Sequence, residues 1–318
     1  MNATFNGTCF ACGSNSLFEV IDLGDQPLAN SYLPTQQSSE KTYPLKLHFC
    51  PKCTHLQLSH TVDPAELFEN YLYVSGTSQT LKQYFKDFVQ LTKQYNNGTS
   101  VLDIACNDGT QLNCFKEAGF RTYGIDPAKN LHKISSTTHN VTCDYLTEDS
   151  ITAFGTKFDV ILAQNVLAHN NYPKQFLEIC KSALNPRGRI FIQTSQANMV
   201  ANNEFDTIYH EHLSFFSVKS FCTLAKRAGL KVIDVKRTPI HGTSFVFVLS
   251  NDAQDVDQSE HFISKEVELT VDIMANYAAN ASNITQNLKK TIDNFKMLGY
   301  TVAGFGAAAK GNTLLTVS

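Results

Sequence analysis

The chain has 318 residues, of which 42% are hydrophobic and 17% are charged, and its formal net charge is -3. This length predicts roughly two domains with a sizeable core, and the composition excludes a largely disordered chain. The negative net charge excludes a general electrostatic grip on nucleic acid, and no stretch has the ~18 consecutive apolar residues of a membrane span.

The N-terminus, "MNATFNGTCFACGS", has no basic segment followed by an apolar one, so no signal peptide is expected. The chain nevertheless contains 9 cysteines. Cysteines without a secretion signal indicate a reducing compartment, in which thiols bind metal or lie buried. The expectation is therefore a cytoplasmic protein of enzyme size.

Four of the cysteines form two pairs, Cys9 with Cys12 in "CFAC" and Cys50 with Cys53 in "CPKC". Two such pairs supply the four thiolates of a closed structural zinc site, which predicts a zinc-binding domain at 1–60. Redox use of one pair is the alternative, and an iron–sulfur site fits less well because its usual cysteine spacings differ. Between the pairs, "VIDLGDQPLANSYLP" is rich in turn formers and predicts loops over the zinc core.

A linker follows at 61–95, for which we expect a helix and a lid. Its stretch "NYLYVSGTS" at 70–78 would place Tyr71 and Tyr73 on one face if it were extended, with a polar turn after them. Because the stretch lies between two predicted domains, it is positioned to cover a site.

The next stretch, "TSVLDIACNDGTQLNCFKEAGFRTYGIDPAKN", predicts a strand, a helix and a second strand. Asp126 ends the second strand, where nucleotide-binding folds use a carboxylate to bind ribose hydroxyls. The turn "CNDG" lacks the glycines that a pyrophosphate requires, which favours an adenosine ligand without phosphate, such as S-adenosylmethionine. Asp103 is expected to hold the amino group of this ligand, with Asn107, Asp108 and Gly109 around it. Strand-end capping is the alternative role of these acids.

Further strands are predicted within 141–149, 157–173 and 188–195. Their alternation with helical stretches predicts a doubly wound, Rossmann-like α/β domain at 96–250, with ligands at the carboxyl ends of the strands. Gln164, Asn165 and His169 fall at one such end.

The stretch "YHEH" at 209–212 places two histidines, a glutamate and a tyrosine side by side. Metal binding is disfavoured. His210 and His212 are two residues apart and would share a face only in an extended segment, and the stretch provides no further ligands there. A satisfied polar turn and acid–base catalysis both stay open, and the ordinary pKa of histidine favours catalysis. His241, alone in the turn "PIHGTSF", more often has a structural role in such a setting.

Seven stretches in this order resemble the NDP-hexose C-methyltransferases, the sugar 3-C-methyltransferases of branched deoxysugar synthesis. They are "CxxC…CxxC", "DLGDQPLANSYL", "LFENYLYVSGTS", "DIACNDGTQL", "FDTIYHEHLSFFS", "IHGTS" and "GFGAAAKGNTLL". The resemblance covers nearly the whole chain. It implies a zinc-binding domain, a central S-adenosylmethionine domain and a C-terminal Rossmann-like domain, here at 251–318. The final "GYTVAGFGAAAKGNTLLTVS" predicts a strand, a glycine turn and the start of a helix, so this last domain is expected to be incomplete.

The resemblance also implies methyl transfer to C3 of a nucleotide-linked 4-keto-deoxysugar, with His212 as the general base. The catalytic cluster that it implies is His212, Glu211, Tyr209, His169, and Tyr71 or Tyr73. His169 would face the sugar, and His241 and Lys310 would bind substrate. A monomer or a homodimer is expected. Two other functions stay open: an O- or N-methyltransferase with the same cofactor, and an inactive zinc scaffold that binds nucleotide sugars.

Overall fold

The computed structural model of the protein describes the following parts of the chain: 3–31, 35, 40–69, 71–196, 198–306 and 308–318. Of the stretches singled out in the sequence, positions 32–34 of the predicted loop, Asn70 of the predicted lid and Ala307 of the final glycine-rich stretch lie outside the described residues.

The helices and strands alternate through most of the described chain. The strands are β1 (Ala3–Phe5), β2 (Phe18–Pro27), β3 (Thr42–Cys50), β4 (His55–Leu58), β5 (His60–Val62), β6 (Ser100–Ile104), β7 (Arg121–Ile125), β8 (Asn140–Thr142), β9 (Phe158–Gln164), β10 (Leu184–Thr194), β11 (Ser214–Phe215), β12 (Lys231–Thr238) and β13 (Ser244–Ser250). The α-helices are α1 (Pro64–Phe68), α2 (Gln79–Lys93), α3 (Thr110–Glu117), α4 (Lys129–Ser135), α5 (Glu148–Thr152), α6 (Pro173–Ser182), α7 (Val218–Arg227), α8 (Ser259–Ile263), α9 (Val271–Met297) and α10 (Ala309–Thr316). Short 3-10 helices cover Ser75–Thr77, Leu167–His169 and Phe205–Thr207.

The central sheet has seven strands in the order β12-β13-β10-β9-β6-β7-β8. Its run from β10 to β8 is parallel, and β13 is antiparallel to both of its neighbours. From β6 the chain moves outward to β7 on one side and later returns to β9 on the other. This is the doubly wound class predicted from the sequence, and its crevice lies where the strand order reverses.

Both faces of this sheet are covered by helices, because its central strands are apolar on both sides. On β9, Ile161 packs in one cluster with Phe221 of α7, whereas Val160 and Leu162 pack in another with Phe115 of α3. Alternate residues of a strand point to opposite faces, so one apolar run supplies both layers.

A four-stranded antiparallel sheet in the order β11-β4-β3-β2 forms the N-terminal module. The prediction of loops in "VIDLGDQPLANSYLP" was wrong for its first part, 20–27, which belongs to β2 and pairs with β3. Its turn formers are accommodated at register shifts and at the strand end, where an irregular pair tolerates an extra residue. Strand β11 belongs to a much later part of the chain than the other three strands. It brings the segment after "YHEH" into this sheet.

The predicted strand in "GYTVAGFG" is also absent, since 301–306 belongs to no strand in the described chain. A strand needs a neighbour for its backbone N–H and C=O groups, and Val302 and Phe305 instead have exposed side chains. The helix predicted after it is present as α10. Among the described helices, none combines the length and the apolar character needed to cross a bilayer.

Candidate functional site

A cavity of about 1160 Å³ opens at the carboxyl ends of β6, β7 and β9, at the point where the strand order reverses. A single drug-sized ligand usually occupies roughly 300–1,000 Å³, so this cavity has room for two reactants. The predicted site residues that line it are Tyr71, Tyr73, Asp103, Asn107, Asp126, Gln164, Asn165, His169, Tyr209, Glu211, His212, His241 and Lys310. Asp108 and Gly109 were predicted beside them but do not line the cavity.

Asp126 anchors the cofactor side of the cavity. Its two carboxylate oxygens accept the backbone N–H groups of Asn107 at 2.7 Å and Ala128 at 2.8 Å. Burial raises the pKa of this carboxyl, and the two backbone donors oppose the rise. The loop after β6 is thereby pinned to the end of β7, with Asp126 still on the cavity wall.

Several polar atoms in this wall are left for a ligand. The buried Gln164 Nε2 and Asn165 Oδ1 have no hydrogen-bond partner among the described residues. Burial and the neighbouring Asp126 raise the pKa of Asp103 well above its usual value. A ligand with an ammonium group would offset both effects. S-adenosylmethionine, which carries an adenine, a ribose and an ammonium group, fits this set of donors and acceptors.

The tyrosine segment, defined here as residues 71–76, is hydrogen-bonded to the cofactor loop, which is the loop between β6 and α3. The Asn107 side chain accepts the N–H of Ser75 at 3.0 Å and donates to the carbonyl of Tyr73 at 3.0 Å. The Asp108 carboxylate accepts the N–H of Gly76 at 2.9 Å. These backbone donors draw Asp108 out of the cavity, which explains why it does not line the pocket as expected.

Gly109 also serves the loop rather than the pocket. It precedes α3 with φ of 80°, a left-handed conformation that glycine adopts without strain. A Cβ here would also lie 3.0 Å from the His139 ring. Gly109 is therefore needed for the turn, and its direct contact with a cofactor stays a prediction.

The "YHEH" stretch is a tight turn and not the extended segment considered from the sequence. The His212 N–H donates to the Tyr209 carbonyl at 2.9 Å. This turn directs Tyr209, Glu211 and His212 toward the cavity. His210 points away, and its Nε2 donates to the backbone carbonyl of Tyr43 at 3.1 Å, which is a structural role.

His212 has a defined tautomer. Its Nδ1 lies 3.2 Å from the carbonyl oxygen of Thr207, which can only accept, so Nδ1 carries the proton. Its Nε2 then has a lone pair, which accepts the hydroxyl of Tyr209 at 2.9 Å. Burial first, and then the neighbouring His169, lower the pKa of His212 well below its usual value. The imidazole is therefore neutral at pH 7 and can accept a proton.

His169 faces His212 edge to face, with 5.1 Å between ring centres. Burial lowers the pKa of His169 to about 4, and its buried Nδ1 has no partner among the described residues. The site thus contains two neutral imidazoles, one of them with a free ring nitrogen.

The Glu211 carboxylate has partners from two distant segments. The amide of Asn30 donates to Oε1, and the hydroxyl of Tyr71 donates to Oε2 at 3.4 Å. Of the two candidate tyrosines, Tyr71 is therefore the one that reaches Glu211, whereas Tyr73 is 46% exposed. Asn30 was not predicted as a site residue, although it belongs to the "PLAN" stretch that contributed to the family resemblance.

Two residues from the C-terminal third of the chain, His241 and Lys310, also line the cavity. His241 has φ of 55° in the turn between β12 and β13 and lines the cavity. Lys310 lies in the first turn of α10, and its positive charge contributes to lowering the pKa values of His212 and His241. Lys310 therefore adds a positive charge to this part of the cavity.

The four predicted zinc ligands come together away from this cavity. Their Sγ atoms lie within 4.8 Å of one another, and the two 3.6 Å contacts join Cys9 to Cys53 and Cys12 to Cys50. A tetrahedral zinc with bonds of about 2.3 Å requires sulfurs roughly 3.8 Å apart, so the cluster fits this ion. The shortest contacts join different CxxC pairs, which favours one shared metal over a separate redox dithiol. Burial raises the pKa of Cys50 to about 11, a penalty on the thiolate that a bound cation removes.

Comparison with known proteins agrees with the fold and with a zinc-binding module at the N-terminus. The chain matches the family described as "Methyltransferase domain" over 77–235, a zinc binding domain over 9–68, and "C-methyltransferase C-terminal domain" over 239–318. It is 28% identical over 323 residues to the C-methyltransferase NovU of Streptomyces niveus, covering 96% of this chain and 77% of that protein.

More distant relatives match part of the chain. The tRNA U34 carboxymethyltransferase of Campylobacter curvus (strain 525.92) is 27% identical over 175 residues, covering 49% of this chain and 57% of that protein. A solved S-adenosylmethionine-dependent methyltransferase from Clostridium acetobutylicum ATCC 824 aligns with a TM-score of 0.44 at 10% identity, over 54% of this chain and 92% of that chain. The methyltransferase match spans half of the sequence, with the other two domains on either side. The chain therefore belongs to the methyltransferase-domain family, and it is an S-adenosylmethionine-dependent C-methyltransferase that carries a zinc-binding domain.

Proposed function

We propose that the protein methylates C3 of a nucleotide-linked 4-keto-deoxysugar through an enolate, with His212 as the general base. The observation that carries the proposal is the neutral His212, whose Nε2 lone pair lies in the same cavity as the cofactor crevice. The identity of the acceptor rests on the resemblance of the seven sequence stretches to sugar 3-C-methyltransferases.

A carbonyl at C4 makes the neighbouring C3 proton acidic, so a positioned base can remove it. The Tyr209 hydroxyl turns from His212 Nε2 to the carbonyl oxygen at C4, Nε2 takes the C3 proton, and the electron pair of the C3–H bond forms the enolate. The protonated Nε2 then donates to the Tyr209 oxygen, while the Tyr209 hydroxyl hydrogen bonds the enolate oxygen. His169, whose Nδ1 is free, supplies a second polar contact on the same side.

When bound, S-adenosylmethionine supplies an electrophilic methyl group. The residues that would hold it are Asp103, Asp126, Gln164 and Asn165. His212 lines the same cavity, so a sugar whose C3 faces His212 would lie beside the cofactor. The tyrosine segment, which lines the cavity and is hydrogen-bonded to Asn107, would limit the access of water to the bound reactants.

Glu211 has a supporting role. It makes no hydrogen bond to His212, because the carbonyl of Thr207 orients that ring. Its negative charge lies close enough to contribute to raising the pKa of Tyr209, and it favours the imidazolium that forms when His212 takes a proton.

The nucleotide end of the substrate would lie toward Lys310 and His241. Lys310 contributes a positive charge, and the N-terminus of α10 adds the positive end of a helix dipole, which suits phosphate oxygens. A diphosphate placed there would leave the sugar facing His212 and His169.

Purified protein incubated with S-adenosylmethionine and a nucleotide-linked 4-keto-deoxysugar tests the proposal. We expect a product heavier by one methylene unit in mass spectrometry, with a new methyl on a C3 that has lost its proton in the NMR spectrum. A methyl group found on oxygen or nitrogen would contradict carbon methylation, and an unmodified sugar would contradict this acceptor class.

A further inference from the structure

The zinc-binding module contacts the active site through one side chain in particular. Asn30 follows β2, lines the cavity, and donates from Nδ2 to Oε1 of Glu211, which is 181 residues away in the sequence. Glu211 is buried, with 4% of its surface exposed. The contact is therefore a charge-assisted hydrogen bond in a setting that water does not reach freely.

Other contacts between the module and the "YHEH" turn involve backbone groups. Strand β11 pairs with β4, and the N–H of Leu58 donates to the carbonyl of Leu213 at 2.9 Å. The His210 ring bonds the carbonyl of Tyr43. These contacts determine where the turn lies, but they leave the direction of the Glu211 carboxylate open. Asn30 and Tyr71 are the described side chains that hydrogen-bond this carboxylate.

We infer that Asn30 is a positioning residue for methyl transfer: its amide, together with Tyr71, holds the Glu211 carboxylate in its working orientation within the cavity. The inference rests on the proposed function where it assigns Glu211 to the cluster around His212. It adds a role for the zinc-binding module, which contributes a side chain to the site as well as stability.

The electrostatic setting makes this role measurable. Burial raises the pKa of Glu211, whereas the bonds from Asn30 and Tyr71 lower it. The other titratable groups facing this region are Tyr71 and Tyr209, whose pKa values are raised. His169, His212 and His241, whose pKa values are lowered, and the cation Lys310 also line the cavity. Loss of the Asn30 donor would therefore raise the pKa of Glu211 further.

The decisive variant is Asn30→Asp, which keeps the size of the side chain but replaces the donor with an acceptor. The direct measurement is the titration of the Glu211 carboxyl by NMR in protein labelled with 13C at glutamate Cδ, with Glu211→Gln to assign the signal. We expect the Glu211 midpoint to rise by about one pH unit or more, because a donor is lost and a like charge is added. The acid limb of kcat should move in the same direction.

Asn30→Ala should show a smaller rise, and Ser31→Ala, an exposed neighbour, should show none. Zinc content and S-adenosylmethionine affinity should match wild type in all three, which separates positioning from collapse of the module. An unchanged Glu211 midpoint in Asn30→Asp overturns the inference. This titration needs no substrate, so a shifted midpoint in a protein that fails to methylate the sugar would reject the proposed function and leave the role of Asn30 standing.

Discussion

At the scale of single residues, the site depends on which ring nitrogen of His212 carries the proton. The Thr207 carbonyl fixes that proton on Nδ1 of His212, and the Tyr209 hydroxyl marks where Nε2 points. A base held in one tautomer and one ring orientation needs no tautomer change and no ring rotation before it accepts a proton; only the Tyr209 hydroxyl has to turn away.

Replacement of the base tests its role. His212→Ala should lower kcat at least about 100-fold, because positioned proton transfer contributes roughly 10²–10⁴-fold. S-adenosylmethionine affinity should stay within about twofold, since every predicted cofactor contact is retained. His261→Ala, in exposed α8, is the matched control. Near-normal turnover of His212→Ala in a kinetic assay would remove His212 from the mechanism.

The same residues predict an unusual pH profile. A base with a lowered pKa stays unprotonated as the pH falls through 6.5, so His212 should keep its activity there. Burial raises the pKa of Glu211 above its ordinary 4.5, so protonation of this carboxylate also contributes to the acid limb. We expect kcat/KM of Glu211→Gln, measured between about pH 5 and 8, to show no midpoint near 6.5. An acid limb centred at 6.5 in this variant would indicate an unperturbed histidine.

At the scale of elements, the hydrogen bonds between the tyrosine segment and the cofactor loop, here called the latch, connect the predicted cofactor side of the cavity with the side that contains Tyr71. Asn107 is held by Asp126 through its backbone and holds Ser75 through its side chain. Occupation of the cofactor crevice and placement of Tyr71 are therefore mechanically connected.

Gly76→Ala tests this latch. A Cβ at Gly76 would lie 2.5 Å from Oδ2 of Asp108 and 2.7 Å from Oγ1 of Thr110, so the segment must move away. We expect S-adenosylmethionine to bind about tenfold more weakly in calorimetry, a loss of about 1.4 kcal/mol. A Cβ at the exposed Gly304 meets nothing within 4 Å, which makes Gly304→Ala the control. Wild-type affinity and turnover in Gly76→Ala would show that the latch is dispensable.

The elements that were predictable from the sequence are those with a local signal. Strands β6 and β9 are short buried apolar runs, and β7 follows the helix after β6 at the spacing of a β-α-β unit, so their succession along the chain was predictable. Strand β2 was missed because its Gly, Pro and Asp residues are tolerated at register shifts, which a local pattern does not reveal. For "YHEH" the sequence left both a turn and an extended segment open, because tertiary contacts decide the shape of this stretch.

At the scale of the whole molecule, the zinc-binding module and the methyltransferase domain share both a core and a site. Cys9, Cys50 and Cys53 belong to one apolar cluster with Phe216 and Phe221 of the central domain. Strand β11 and Asn30 extend this contact to the "YHEH" turn. No sequence pattern predicts such pairings, because β11 and β4 are far apart in the chain and only two residues of β11 take part.

Loss of the metal should therefore affect turnover more than cofactor binding. We expect Cys53→Ser to lose its bound zinc in elemental analysis and to unfold at lower temperature, because three remaining thiols cannot close a tetrahedral site. Turnover should fall at least about tenfold, since Asn30 and β11 lose their support. S-adenosylmethionine affinity should change less, because the central sheet forms the crevice. Full turnover in a zinc-free variant would separate the module from catalysis.

The central claim is that His212 removes a proton from C3 of the sugar before carbon methylation. The most direct measurement incubates the protein in D2O with the nucleotide-linked 4-keto-deoxysugar and S-adenosylhomocysteine, which has no methyl to give, and follows the C3 signal by NMR. We predict that wild type replaces the C3 proton with deuterium and that His212→Ala does so at least about 100-fold more slowly. A wild-type enzyme that methylates the sugar but never exchanges this proton, or a variant that exchanges it at the normal rate, would contradict the account.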